Sequence, residues 1–259
     1  MLSLANIEKY YPNDERGFKR HILREYLQYK ILQIIFNSKI SQRIAFLGGT
    51  ALRIIYGNSR FSEDLDFDNF GLTEEEFVDL TREIKKGLEL EGYTVEIKNV
   101  FKGAYRSYIR MPEVLFDNKM SALRDEKIMI QVDTVPHAFD YERDLKIINK
   151  FDVFSQIYAT PIDLLLSQKI YAAVNRPRAK GRDFFDIVFL LPQTKPNYEY
   201  LTKKLNIKNG QELKDALLLK TLDFDFENLA KDVEPFLINL RDSDKERMFV
   251  AYITSFKFN

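Results

Sequence analysis

Glu63, Asp64, Asp66 and Asp68 crowd four carboxylates into one short stretch. Side chains alternate faces along an extended strand, so Asp64, Asp66 and Asp68 share one side while Leu65 and Phe67 point to a core. Carboxylates gathered this way repel one another. A hard, oxygen-loving cation removes the repulsion, and at phosphate chemistry that cation is Mg²⁺, or Mn²⁺ in its place. Upstream, the apolar run Ile44 to Leu47 ends at Gly48-Gly49-Thr50. Two glycines let a backbone turn approach a ligand closely, and a helix starting at Thr50 offers unpaired N–H groups to an anion. A cation-holding strand beside an anion-holding helix start suggests a nucleoside triphosphate site. Arg60 lies between the two and would either clamp a phosphate or neutralise the acids.

The elements that must position these groups follow from periodicity. A helix from Thr50 to Tyr56 is closed by Gly57-Asn58. Residues 16–39 repeat Ile22, Leu23, Tyr26, Leu27, Ile31, Ile34 and Ile35 at helical spacing, with Arg20, Arg24 and Lys30 turned to solvent. Thr73 followed by three glutamates opens a helix to about Glu91, closed by Gly92. Residues 93–100, 104–111 and 127–134 read as strands, the first two joined by a turn at Lys102-Gly103. In the last, Ile128, Ile130 and Val132 face one way and Met129, Gln131 and Asp133 the other. Asp133 either caps the strand end or joins the acids in holding a cation.

A second chemical cluster stands downstream. Thr160-Pro161 opens a helix carrying Leu164, Leu165, Lys169, Ile170 and Ala173, with Thr160 as the cap. A basic run from Arg176 to Arg182 follows, then Asp183 and Asp186 in the first turns of another helix. Lys169, Lys180 and Arg182 would neutralise phosphates. The competing reading is structural: Lys169 is solvated, Arg182 pairs with Asp186 one helical turn away, and Asp183 suits the helix dipole. From Asn197 the chain reads as helices over 198–206, 210–219, 226–240 and 244–255. Asp223 and Asp225 repeat the paired-acid spelling without a glycine turn and belong to a loop. The expected division is 1–150 and a helical 151–259.

Composition narrows the classes. The 259 residues are 45% hydrophobic, enough for a substantial core. No cysteine is present, which excludes disulfides, thiolate metal sites and a cysteine nucleophile, and fits a cytoplasmic protein. Two histidines make a histidine-rich metal site untenable. Lys plus Arg and Asp plus Glu are 39 each, so any nucleic-acid binding must come from local patches. No apolar run approaches the ~20 residues of a membrane helix, and no signal peptide follows Met1.

Gly48-Gly49-Thr50 with Asp64-Leu65-Asp66 resembles the glycine and paired-acid motifs of the DNA polymerase β type nucleotidyltransferases. The fuller wording, GGTALR through RFSEDLDFD, then Lys169 and Lys180-Gly181-Arg182-Asp183 with Asp186, is similar to the AbiEii/AbiGii toxin family. The resemblance covers roughly residues 20–190. It implies an α+β fold: a polymerase β-like core with a mixed sheet, then a mainly helical C-terminal half. It also implies metal-dependent transfer from a nucleoside triphosphate to an acceptor, RNA and the tRNA 3′ end foremost, and a cognate antitoxin with a winged-helix domain. In that mechanism Asp64 and Asp66, with Asp133 from a neighbouring strand, hold Mg²⁺, while Gly48, Gly49, Thr50, Lys169, Lys180 and Arg182 bind the nucleotide. Arg60, Asp183 and Asp186 support them. Two alternatives stand beside it: a nucleotidyltransferase acting on a small molecule such as an antibiotic, and a nucleotide- or RNA-binding module without catalysis.

Overall fold

The computed structural model describes residues 2–136 and 139–258 and divides into two compact units. The first comprises residues up to 57 and 61–160. The second comprises 161–259 together with the short segment 58–60. The division thus falls ten residues beyond the expected 150, because two further strands complete the sheet of the first unit.

In the first unit, helices α1 (Leu4–Glu8) and α2 (Lys19–Asn37) precede β1 (Ile44–Leu47) and α3 (Gly48–Tyr56). Then come β2 (Leu65–Asn69), α4 (Glu74–Leu90), β3 (Glu96–Phe101), β4 (Tyr105–Met111), α5 (Val114–Asp117), β5 (Ile128–Pro136), β6 (Asp144–Lys150) and β7 (Val153–Ala159). The strands form one seven-stranded sheet in the order β3-β4-β5-β2-β1-β7-β6. β1 runs parallel to β7 and β2 parallel to β5; the other neighbours are antiparallel. The sheet is therefore mixed, as expected.

Local chemistry explains most of the boundaries. Thr73 accepts from the Glu76 backbone N–H while the Glu76 carboxylate accepts from the Thr73 N–H, a reciprocal cap that starts α4. Gly57 closes α3 in the left-handed conformation. α2 packs on β7, β5 and α4, and it is buried nearly all round. Lys30 accordingly does not face solvent: it is 7% exposed and ion-paired with Glu91 at 2.7 Å and Asp152 at 3.4 Å. Arg24 is likewise drawn inward, onto Glu63 at 2.5 Å.

β6 and β7 escaped the sequence reading. Their connection is a tight hairpin turn whose left-handed residue is Phe151, at φ 60°, where a glycine or asparagine would be the usual signal. The Phe151 ring accounts for the exception. It packs edge-on against Tyr10, Tyr26 and Tyr29 at centroid distances of 5.0, 5.3 and 5.3 Å. Burial of that ring offsets a left-handed cost of ~1–2 kcal/mol. Alternation was also masked: Leu145, Ile147 and Phe154 are apolar on the exposed side, while Lys146 and Lys150 share the side of buried Ile148.

The second unit is helical: α6 (Ile162–Asn175), α7 (Gly181–Leu190), α8 (Tyr198–Leu205), α9 (Gly210–Lys220), α10 (Phe226–Val233), α11 (Asp244–Arg247) and α12 (Phe249–Ser255). Pro161, not Thr160, is the N-cap of α6; Thr160 belongs to the first unit, where its hydroxyl meets Tyr141 and Asp68. The expected 226–240 helix breaks after Val233, where Pro235 sits in a 3₁₀ turn. Asp225 is the N-cap of α10, which confirms Asp223-Phe-Asp225 as loop chemistry.

Candidate active site

The acids from Glu63 to Asp68 separate into different roles. Glu63 goes to Arg24 of α2. Gln28, also on α2 and 1% exposed, donates to the backbone carbonyls of Ser62 at 3.0 Å and Glu63 at 2.9 Å. Asp68 is 4% exposed and accepts from the Tyr141 hydroxyl at 2.5 Å. Burial, and next the Asp68 charge, hold the Tyr141 pKa above its ordinary value. Asp68 thus lies on the side expected but is an interior hydrogen-bond acceptor. Asp64 and Asp66 are half-buried.

The glycine turn and the acids touch directly. Gly48 has φ +81°, and a Cβ built on it would collide with the carboxylate of Asp66. Glycine is required twice over, for the left-handed backbone and for the space. Helix α3 begins at Gly48, two residues earlier than expected, and no side chain caps its first turn. Gly48, Gly49 and Thr50 are buried, and the Thr50 hydroxyl donates to the backbone carbonyl of Asp64. Thr50 therefore ties the helix start to the acidic strand through its side chain.

Register brings in Asp133. In the parallel β2–β5 pair Asp66 stands opposite Asp133, and in the antiparallel β4–β5 pair Asp133 stands opposite Arg106. Paired residues project from the same face of a sheet. Arg106 Nε donates to both Asp133 carboxylate oxygens, at 2.9 and 3.0 Å, and Gln131 Nε2 donates to one of them at 2.9 Å. This bond to Asp133, and then the carboxylate charge, raise the Arg106 pKa above its ordinary value. Arg106 had no signal in the sequence; only the strand register reveals it.

The donor set at Asp64 and Asp66 is carboxylate oxygen, which suits a hard divalent cation. One or two carboxylates completed by substrate phosphates are the usual Mg²⁺ arrangement. Among the described residues no group of three or more His, Cys, Asp or Glu side chains is gathered for a metal. Asp133 is instead held by Arg106 and Gln131.

The remaining candidates lie in the second unit. Asp186 is fully buried and saturated: Arg60 grips it bidentately, Nε at 2.7 Å and Nη2 at 2.6 Å, Asn58 Nδ2 donates at 2.9 Å, and Lys169 Nζ lies at 2.8 Å. Burial opposes its charge, but Arg60 and then Lys169 overcome that and lower its pKa to about 2. Arg182 is not among its partners, so the expected turn-spaced Arg182–Asp186 pair does not form; the buried guanidinium of Arg60 takes that place. Asp183 is ion-paired with Lys169 at 3.4 Å and Arg176 at 3.1 Å. Lys169 is not solvated: its side chain is 14% exposed and sits between the two aspartates. Arg60 is 2% exposed. Burial works against its charge, while Asp186 more than restores it and raises its pKa.

Lys180 and Arg182 lie at the start of α7. With Arg178 they line a cavity of about 220 Å³ there. Gly181 between them is a packing glycine, since a Cβ there would strike the Leu229 carbonyl of α10.

Two solved structures share this fold. JHP933 from Helicobacter pylori is 19% identical, with 90% of this chain and 91% of that chain covered and a TM-score of 0.56. A candidate nucleotidyltransferase from H. pylori is also 19% identical, with 90% and 93% covered and a TM-score of 0.55. No curated protein matches the sequence significantly. The mixed sheet with its glycine turn and acidic strand has the fold of these two structures. The chain belongs to the AbiEii family, the nucleotidyl transferase toxins of type IV toxin–antitoxin systems, whose profile matches residues 30–256. Among the described residues, no helix is long and apolar enough to cross a membrane.

Proposed function

We propose that the protein is a divalent-metal-dependent toxin that moves a nucleotide from a nucleoside triphosphate onto RNA, with the tRNA 3′ end as acceptor. The observation that carries this reading is the packing of Gly48 against Asp66, with Asp133 matched to Asp66 on the next strand. It sets an uncapped helix start beside a carboxylate pair. The first turn of α3 presents backbone N–H groups suited to triphosphate oxygens. Asp64 and Asp66 would hold Mg²⁺ or Mn²⁺, an ion that supplies charge neutralisation and polarises the phosphoryl oxygen. Thr50, Gln28 and Arg24 keep the acidic segment in place from behind, so the carboxylates need not reorganise during transfer. Asp133 serves through its pairing with Arg106, which offsets its charge next to Asp66.

In the second unit, Arg178, Lys180 and Arg182 offer cations to a phosphate in a cavity that Asp232 also lines. Asp183 and Asp186 hold Lys169 and Arg60 rigid, and Lys169 is the phosphate ligand of that network. The toxin acts in the cytoplasm, where triphosphates and tRNA meet, and its partner is an antitoxin bearing a winged-helix DNA-binding domain.

The test uses each of the four α-³²P-labelled triphosphates with total RNA, with an aminoglycoside panel, and with or without EDTA. Label appearing on RNA of tRNA size, abolished by EDTA and by Asp66→Asn, is the expected result. Label on an aminoglycoside instead, or transfer surviving in Asp66→Asn, would overturn it.

A further inference from the structure

We infer that the open face of β3, β4 and β5 is the acceptor site and that it takes a single-stranded RNA end; this rests on the transfer reaction proposed above. Register defines the surface. From Asp133 and its partner Arg106, two residues along the strands bring Gln131 opposite Tyr108, and Tyr108 opposite Lys98. Two more bring Met129 opposite Arg110. All these side chains therefore project from the face that carries Asp66 and Asp133. The other face is core: Ile128, Ile130, Val132, Ser107, Ile109 and Met111 are buried. On the open side Lys98 is exposed, the Arg106 side chain is 40% exposed, and Met129 is 39% exposed.

The chemistry of this face selects its ligand. The Arg110 guanidinium lies 5.7 Å from the Tyr108 ring centroid. Aromatic rings and guanidinium planes are what unstacked bases lie against, and Lys and Arg take the phosphates between them. Lys98 lies opposite Tyr108 and Arg110 two residues beyond it, while Arg106 on its other side is bonded to Asp133, so on a chain with no net charge the attraction comes from Lys98 and Arg110. Glu96, directly opposite Arg110 on the same face, is ion-paired with Lys127 at 2.6 Å. Lys98 and Arg110 beside the Tyr108 ring match the phosphates and bases of a single strand. From Arg106 to Arg110 the strand advances about 13 Å, room for a short single-stranded end. The path finishes at Arg106, bonded to Asp133 and one strand from Asp66, where an acceptor hydroxyl must arrive.

The experiment measures fluorescence anisotropy of the full chain with a labelled, unstructured 12-nucleotide RNA, single-stranded or annealed to its complement, at low and moderate salt. Lys98→Ala, Tyr108→Ala, Tyr108→Phe and Arg110→Ala are compared with the wild type. The rise in melting temperature produced by a saturating triphosphate is followed in parallel. The wild type should bind the single strand at least 10-fold more tightly than the duplex. Tyr108→Ala should weaken binding 10-fold or more, while Tyr108→Phe, which keeps the ring, should retain it. Lys98→Ala and Arg110→Ala should weaken binding and flatten its salt dependence. The triphosphate-induced rise should stay unchanged in every variant, showing an intact fold and donor site. RNA binding that survives the three alanine variants, equal affinity for the duplex, or a wild type that responds to triphosphate but binds no RNA would each overturn the inference. Failure of the transfer reaction itself is read separately, in the labelled-triphosphate assay.

Discussion

Asp66 and Asp133 occupy matched positions on adjacent parallel strands, side by side on one face of the sheet. Two like charges so placed are costly, and the fold answers from both flanks. Gly48 leaves room for the Asp66 carboxylate, and Arg106 binds both oxygens of Asp133. The pair is distant in sequence, and it depends on β2 running parallel to β5.

Asp66→Asn keeps the shape and removes the charge. Nucleotide transfer should fall on the order of 10²–10³-fold, since a preorganised electrostatic group is lost. The melting temperature should stay within a few degrees of the wild type. Steady-state transfer and thermal melting measured on the same preparation decide the matter, and full turnover would remove Asp66 from the site.

Gly48→Ala tests the contact from the other side. The added Cβ meets the Asp66 carboxylate, and the backbone there is left-handed. The left-handed conformation costs ~1–2 kcal/mol, so melting should drop by several degrees. Activity should fall at least 10-fold beyond what unfolding explains. A variant that is destabilised but fully active per folded molecule would show that the contact is only structural.

Acid sensitivity should trace to Asp186. Its folded pKa, about 2, lies below its ordinary value near 3.8, so its contribution is fully present above pH 4 and disappears as pH falls towards 2. Asp186→Asn leaves Arg60 and Lys169 without their buried partner and should cost ~3–5 kcal/mol. It should also flatten the pH dependence of stability over that window. Urea denaturation from pH 2.5 to 6 would measure both effects. An unchanged midpoint and slope would contradict this account of the network.

Glu246 should behave in the opposite sense. It is fully buried on α11, neither side-chain oxygen has a hydrogen-bond partner among the described residues, and burial pushes its pKa up to about 8. A raised carboxyl pKa gives stability that is full below about pH 4.5 and is lost as pH rises through 8. Glu246→Gln keeps a neutral, similar side chain and cannot ionise. It should melt several degrees higher than the wild type at pH 8.5, with a smaller difference at pH 5. Parallel pH curves for the two proteins would refute the assignment.

What the sequence determined by itself is the set of features that depend on neighbouring residues. Period-two alternation marks β4 and β5, the Thr73–Glu76 cap starts α4, Gly57 ends α3, and the paired acids follow the glycine turn. Each is written in a few contiguous side chains. The family resemblance and the mixed-sheet α+β class also rested on such local wording.

Tertiary structure decided the partners. Nothing near Asp186 announces Arg60 or Asn58, which reach it from a three-residue segment that joins the helical unit. The sequence offered Arg182, one helical turn away, because only local pairs can be counted from spacing. Arg106 becomes a neighbour of Asp133 only once the register of β4 on β5 is set. β6 and β7 were hidden because an aromatic cluster holds Phe151 where glycine would ordinarily announce the turn. Periodicity records which way a side chain points, whereas strand register and buried ion pairing determine what it meets.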